Sequence, residues 1–172
     1  MKTTFNLKFL AISIIFLGFA AVANAQNTAT ATASATVVEG SSVRKDKDLN
    51  FGSLIKGNTE GSVHIAPNGQ MTYSGITAPS GSSNTPQAAQ FTVLGTAGAS
   101  FSISTPSSFT LTNTNGTGTM TVSGIDITNW NNTIGSGGET TFNVGGWLTV
   151  PANPNVGLYQ NTSDFVITIQ FN

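Results

Sequence analysis

The side chains best suited to acid–base or metal chemistry are few in this sequence. His64 is the only histidine, and there is no cysteine. A histidine cluster for zinc or a thiolate metal site therefore has no ligands, and a serine triad would need His64 as its base. His64 alternates with Val63 and Ile65 in a strand-like run, which predicts an ordinary exposed strand residue.

The acidic residues suggest a calcium loop at one place only. Asp46-x-Asp48-x-Asn50 begins like such a loop, but its sixth and twelfth positions are Phe51 and Gly57, where glycine and a bidentate glutamate belong. The other acids, scattered among predicted turns and strand ends, are Glu39, Glu60, Asp126, Glu139 and Asp164. Their spacing pairs no two carboxylates as a glycosidase requires. We therefore predict a protein that is not an enzyme and has no catalytic, metal or cofactor site.

Three aromatic residues carry the remaining predictions about function. If Leu148 and Val150 face a core, the period of a strand turns Trp147 outward, and Trp130 lies in a polar loop. Both tryptophans are a candidate interaction surface for another subunit or a sugar ring. The alternative, that a neighbouring loop covers each of them, stays open. Tyr159 precedes the last strand and is predicted to bond a turn carbonyl while its ring packs.

The elements that must position these side chains read as strands. Four residues of the last segment alternate and define a core terminal strand: Phe165, Ile167, Ile169 and Phe171. Similar short alternations recur between turn-forming clusters such as residues 66–69, and no window has a helical period. A further strand is predicted to enter through the pair Gly145-Gly146 and to close at Pro151. The pattern predicts an all-β antiparallel sandwich of about eight to ten short strands.

The first 25 residues have the pattern of an export signal. Lys2 and Lys8 precede an apolar run over residues 9–22, and Ala23-Asn24-Ala25 is a small-x-small cleavage site. We predict a cleaved signal peptide over residues 1–25, a single domain over 26–172, and an extracellular or cell-surface location reached through the periplasm. Retention of the apolar run as a membrane anchor is the alternative, although the run is short for a spanning helix.

Charge narrows the choice of partners. Only 8% of the residues are charged and the formal net charge is −1. This gives no basic field for a nucleic acid, so we predict none as a partner. An exported domain without cysteine must be held by its core and its backbone ladders alone.

The start of the predicted mature chain alternates Thr or Ser with Ala. The residues concerned are Thr28, Ala29, Ala31, Ala33, Ala35 and Val37. They predict either the domain's own first strand or a donor strand for the open edge of a neighbouring subunit. If the first strand begins near Ala31, too few residues remain to reach another subunit. We therefore favour the interpretation that the segment is the domain's own first strand. Donation of the segment to a neighbouring subunit remains the alternative.

Several short motifs together resemble the secreted bacterial domain of unknown function 4402, over nearly the whole mature chain. They are Asp48-Leu49-Asn50-Phe51-Gly52, Phe91-Thr92-Val93-x-Gly95-x-x-Gly98-x-x-Phe101-Ser102-Ile103, Val144-Gly145-Gly146-x-Leu148-Thr149-Val150 and Gly157-x-Tyr159. The resemblance implies a pilin-like, immunoglobulin-type sandwich of the spore coat U kind. It also implies a surface subunit delivered by a periplasmic chaperone and an outer-membrane usher. The chain departs from the family pattern at Trp147, where a small polar residue is commoner, and at its end, where Phe171-Asn172 replaces a tyrosine.

The sequence is compatible with three functions. The first is a structural subunit of an extracellular fibre, pilus-like appendage or surface matrix, with a role in adhesion and with other copies or related surface subunits as partners. The second is a secreted carbohydrate-binding sandwich that binds a glycan through Trp147 or Trp130. The third is a small outer-membrane barrel, against which the predicted strands are too short.

Overall fold

The computed structural model describes residues 31–37, 40–128 and 132–172. The chain forms two compact units, Met1–Val37 and Val38–Asn172. In the first unit, residues 31–37 are exposed and have no regular secondary structure. Thr28, Ala29 and Trp130 lie outside the described residues, so the predictions made for them remain predictions.

The described part of the second unit contains ten strands and no helix. In chain order they are β1 (Ser42–Lys47), β2 (Gly61–Ile65), β3 (Met71–Ser74), β4 (Ala89–Leu94), β5 (Phe101–Ser104), β6 (Ser108–Asn113), β7 (Thr119–Ile127), β8 (Glu139–Val150), β9 (Tyr159–Gln160) and β10 (Thr168–Phe171). All pairings among these ten strands are antiparallel. The predicted all-β antiparallel class is confirmed. No helix in the described ranges has the length and apolar character needed to cross a membrane.

Strand β8 organises the larger sheet. One of its edges pairs with β4 over residues 139–144 and with β2 over residues 146–150. Its other edge pairs with β7, and the full order is β1-β4-β8-β7-β6-β9, with β3 beyond β2. Within the described ranges, the second sheet consists of β10 and β5. The two sheets therefore differ greatly in extent.

The prediction that a strand begins at the glycine pair is wrong. Gly145 and Gly146 lie in the middle of β8, which runs through them without a break. The reason is that the inward period continues across the pair. Phe142 and Val144 before it, and Leu148 after it, are all buried. The glycines lack side chains, but the alternation of inward and outward positions continues through them.

A bulge in β7 lies opposite these glycines. Ser123 pairs with Trp147 and Asp126 pairs with Gly145, so two residues of β7 face the single residue Gly146. The first of the two, Gly124, has a φ of +56°, which an L side chain rarely adopts. The bulge lets the outward residues of β7 begin again at Asp126 in register with the outward residues of β8.

The core consists of two clusters of inward-facing side chains. One cluster gathers around Val63, Ile65 and Leu148, and the other around Phe101 and Phe142. The terminal residues predicted as a core strand are half-buried against these clusters: Phe165, Ile167, Ile169 and Phe171. Only Thr168–Phe171 forms the strand, which pairs with β5. The alternating segment is thus longer than the strand.

Two local predictions are confirmed. Residues 66–69 form the turn between β2 and β3, where Gly69 has a φ of +85° and its N–H donates to the Ala66 carbonyl at 2.8 Å. The Tyr159 hydroxyl donates to the Asn155 carbonyl at 2.9 Å, and its ring packs against the first core cluster. Both features depend on residues close in sequence, which is why the sequence predicts them.

Candidate functional site

Three side chains from three adjacent strands meet on the outer face of the larger sheet. Trp147 lies on β8, His64 on β2 and Asp126 on β7. Trp147 is 40% exposed while Leu148 and Val150 beside it are buried, as the strand period predicts. We call these three side chains, Trp147, His64 and Asp126, the indole cluster.

His64 holds the indole cluster together. Its imidazole stacks on the indole of Trp147, with ring centroids 4.3 Å apart and planes 11° from parallel. Its Nε2 lies 2.7 Å from Oδ2 of Asp126. The side chain of His64 is only 18% exposed. The prediction of an ordinary exposed strand histidine is therefore wrong, because Trp147 on the neighbouring strand and Asp126 one strand further cover it.

The contact between His64 and Asp126 depends on Gly145. Strands β2 and β7 flank β8 and lie about 10 Å apart, since adjacent strands are spaced about 4.8 Å. On one side of β8, Asp126 is the cross-strand partner of Gly145. On the other side, His64 is the cross-strand partner of Trp147, two residues further along β8. Because Gly145 has no side chain, the imidazole and the carboxylate can meet above β8. The Ile65 carbonyl also approaches so closely that a Cβ on Gly145 would lie 2.0 Å from its oxygen.

The surroundings of the indole are small and hydroxylated. A Cβ on Gly124 would lie 3.0 Å from Cδ1 of the indole, so the ring rests against bare backbone there. Two residues beyond Trp147, Thr149 has Ser62 and Thr121 as its cross-strand partners. Stacking, a carboxylate acceptor and a row of hydroxyl groups are what this face offers chemically.

On the opposite side of the larger sheet lies a cleft of about 1060 Å³. Its floor consists of inward-facing side chains of β6, β7 and β8: Phe109, Leu111, Met120, Leu148 and Val150. Residues 47–54 and 154–162 form its rim, and Phe165 also lines it. At the rim Val156 is 83% exposed and Leu158 is 59% exposed. The cleft is thus an opening into the hydrophobic core.

The residues that resemble a calcium loop are each engaged by close neighbours. A hydrogen bond from Thr92, and then one from Arg44, lower the pKa of the Asp46 carboxyl below its ordinary value. Asp48 pairs with Lys45, and the side-chain oxygen of Asn50 accepts the Gly52 N–H at 2.9 Å. Among the described residues, no group of three or more His, Asp or Glu side chains is placed to hold a metal ion.

Sequence reasoning missed two features of these sites. Asp126 was one of several scattered acids, and its contact with His64 joins residues 62 positions apart. The only local signal is the glycine pair beside Trp147, which marks a close backbone approach rather than the start of a strand. No short stretch of the sequence indicates the cleft, because its lining comes from many separate segments of the chain.

The sequence model of one protein family matches this chain. The family is described as a domain of unknown function, DUF4402, and the match covers residues 41–171. No curated protein and no solved structure matches the chain. The matched range contains all ten strands and leaves out the alternating Thr/Ser-Ala segment before β1.

Proposed function

This chain belongs to the DUF4402 family, and from that premise we propose that it is a non-catalytic structural subunit of an extracellular fibre, pilus-like appendage or surface matrix. The observation that carries the proposal is the cleft. An opening of about 1060 Å³ at the edge of a core is costly for an isolated domain, because apolar side chains there are incompletely covered: Leu111 and Phe165 are half-buried and Leu158 is exposed. In a subunit that receives a segment of another copy, that segment would fill the opening and cover its apolar side chains.

The size of the cleft suits an added strand. A strand residue occupies about 160 Å³, since it rises about 3.3 Å, lies about 4.8 Å from its neighbour and fills a layer about 10 Å thick. The cleft therefore has room for about six or seven residues of an added strand. This is within the usual length of strands in globular proteins.

The smaller sheet offers a place for that strand. Residues 165–171 alternate between half-buried and exposed throughout, but only Thr168–Phe171 is paired. Phe165 lines the cleft, and residues 165–167 lie outside the β10–β5 ladder and belong to no strand. An incoming strand beside them would add backbone hydrogen bonds to the smaller sheet and cover the floor of the cleft.

The proposed occupant is the segment of residues 26–37 from another copy. The first strand in the described residues is β1, which begins at Ser42. Residues 26–41 are sixteen residues and span about 53 Å when extended. A segment of this length is long enough to reach another copy, unlike the few residues that would precede a first strand beginning near Ala31. Residues 31–37 are exposed, and Val37, on the same side of an extended chain as Ala33 and Ala35, is 95% exposed. Backbone bonds would supply most of the binding free energy, since alanine buries little area.

Partners during export follow from the same cleft. A subunit with an open core exposes apolar surface and unpaired strand edges, which favour aggregation before assembly. We therefore propose a periplasmic chaperone that occupies the cleft temporarily, and an outer-membrane usher at which copies or related surface subunits are joined.

Electron microscopy of producing cells tests the proposed function. We expect gold-labelled antibody against residues 40–172 to decorate fibres or a continuous matrix outside the cells. The physical reason is that strand addition joins each copy to the next and so gives a linear or extended assembly. Label found only on dispersed single molecules in the periplasm or the medium would contradict the proposal.

A further inference from the structure

We propose that the outer face of β2, β8 and β7 binds the ring of an uncharged sugar against Trp147. This face lies on the other side of the larger sheet from the cleft, so the site is independent of how copies join. The proposal rests on the fixed orientation of the indole, on the hydroxyl groups beside it and on the charge of the face.

The indole is held in place before any ligand arrives. His64 stacks on one face of the ring at 4.3 Å, and Asp126 fixes the imidazole through a contact of 2.7 Å. Backbone at Gly124 supports the Cδ1 edge of the indole. With these contacts made, 40% of Trp147 remains exposed. A preorganised aromatic surface loses little conformational freedom on binding, which is a condition for useful affinity at a shallow site.

The groups around the indole match a sugar ring. A pyranose has a C–H face that can lie on an aromatic ring and a rim of hydroxyls that both donate and accept hydrogen bonds. Ser62, Thr149 and Thr121 form a row across the three strands, and their hydroxyls also donate and accept. The side chain of Asp126 is 46% exposed, and the oxygen that does not face His64 can accept a sugar hydroxyl.

The charge of the face favours an uncharged ligand over an acidic one. After the predicted signal peptide, the basic residues of the chain are Arg44, Lys45, Lys47 and Lys56. The first three lie on β1, at the edge of the larger sheet, and none of the four lies on β2, β7 or β8. Asp126, the acid of the indole cluster, is already paired with His64. Phosphate or uronic acid groups would therefore find no lysine or arginine on these three strands, and His64 already contacts Asp126, whereas neutral hydroxyls find several partners.

The test is a binding assay with a defined set of soluble oligosaccharides. We suggest the hexamers of cellulose, laminarin, starch, mannan, xylan and chitin, with hexagalacturonate as the acidic counterpart. The protein carries Trp130→Phe, so that Trp147 is the only tryptophan. We expect at least one neutral hexamer to give a saturable change in Trp147 fluorescence and to protect it from acrylamide quenching. Hexagalacturonate should give neither effect.

Variants assign the binding to the proposed groups, with affinity measured by calorimetry. Trp147→Ala should weaken binding by about tenfold or more, as expected for a central aromatic anchor. Thr149→Val, which keeps the shape and removes the hydroxyl, should weaken binding by about threefold. Tyr73→Ala is the matched control, because Tyr73 is an exposed aromatic residue on β3, and it should bind like the parent. Thermal melts of each variant show that it is folded.

Three results would overturn the proposal. The first is that none of the neutral hexamers binds saturably. The second is that Trp147→Ala and Tyr73→Ala bind equally well. The third is a Trp147 emission shift that depends on protein concentration without any sugar, which would make this face a contact between copies. None of these results bears on strand addition at the cleft, so the two proposals can fail separately.

Discussion

Gly145→Ala is expected to lower the free energy of unfolding by about 3 kcal/mol or more, at the upper end of what overpacking costs. A Cβ at this position would lie 2.0 Å from the Ile65 carbonyl oxygen and 3.0 Å from the Ala66 carbonyl carbon. Both atoms are backbone, so no side chain can rotate away. Relief requires β2 to move off β8, which breaks ladder hydrogen bonds and separates His64 from Asp126.

Gly116→Ala is the matched control for this prediction. Gly116 lies in the turn between β6 and β7, where a Cβ would meet nothing within 4 Å and φ is not in the left-handed region. Its unfolding free energy should stay within about 0.5 kcal/mol of the parent. Urea denaturation of both variants gives the comparison, with equal m-values as the check on two-state behaviour. Equal midpoints for the two variants would show that β2 and β8 do not approach as described.

Deletion of residues 26–37 is expected to abolish self-assembly and leave the second compact unit folded. Val38–Asn172 forms a compact unit by itself, so its thermal melt should change little. Without a donor segment the deleted protein can still receive one, and we expect it to cap the growth of assemblies of intact subunits. Light scattering and negative-stain microscopy of mixtures measure both effects. If the segment were instead the domain's own strand, the deleted protein would melt at a markedly lower temperature even when dilute.

Two point variants serve as a matched pair for the deletion. Ala33 and Ser34 are neighbours, so an added strand turns one towards the cleft floor and the other away from it. Ala33→Asp buries a charge in the cleft and should block assembly, because an unpaired buried carboxylate is costly. Ser34→Asp adds the same charge on the other side and should assemble. Equal behaviour of the two variants would contradict strand addition through this segment.

What the sequence predicts well here is local. The period of two in β8 correctly places Trp147 outside and Leu148 inside. The turn at residues 66–69 and the hydrogen bond of Tyr159 to Asn155 also follow from residues a few positions apart. Such features depend on the alternation of side chains along a strand and on hydrogen bonds between residues close in sequence, so a single segment determines them.

What the sequence does not predict is the register between distant strands. His64 and Asp126 meet because β2 and β7 both pair with β8, and because the bulge at Gly124 aligns Asp126 with Gly145. A shift of one residue in either pairing would turn one of the two side chains to the opposite face. The glycine pair by itself predicts the start of a strand, since a missing side chain gives no sign of the Ile65 carbonyl that approaches Gly145.

The start of the first strand is a further difference of this kind. An alternating Thr/Ser-Ala run predicts a strand from near Ala31, yet residues 31–37 have no regular secondary structure and the first described strand begins at Ser42. Alanine and threonine permit a strand but bury little apolar area, so the run needs a partner to become one. That difference leaves the run available for donation.

Cross-linking between two kinds of copy tests strand exchange most directly. The chain has no cysteine, so introduced thiols pair only with each other. A donor copy carries a single cysteine at each of residues 31–37 in turn. A smaller acceptor copy lacks residues 26–37 and carries Thr162→Cys, at the rim of the cleft. Thr121→Cys, an exposed threonine on the outer face of β7, is the control acceptor.

A disulfide forms only where the two Cα atoms come within about 7 Å. We expect heterodimers between donor and acceptor copies at two or three neighbouring donor positions with Thr162→Cys, and background yield at every position with Thr121→Cys. Heterodimer yields that are the same for the two acceptors at every donor position, or at background for both, would contradict the joining of copies by strand addition at the cleft.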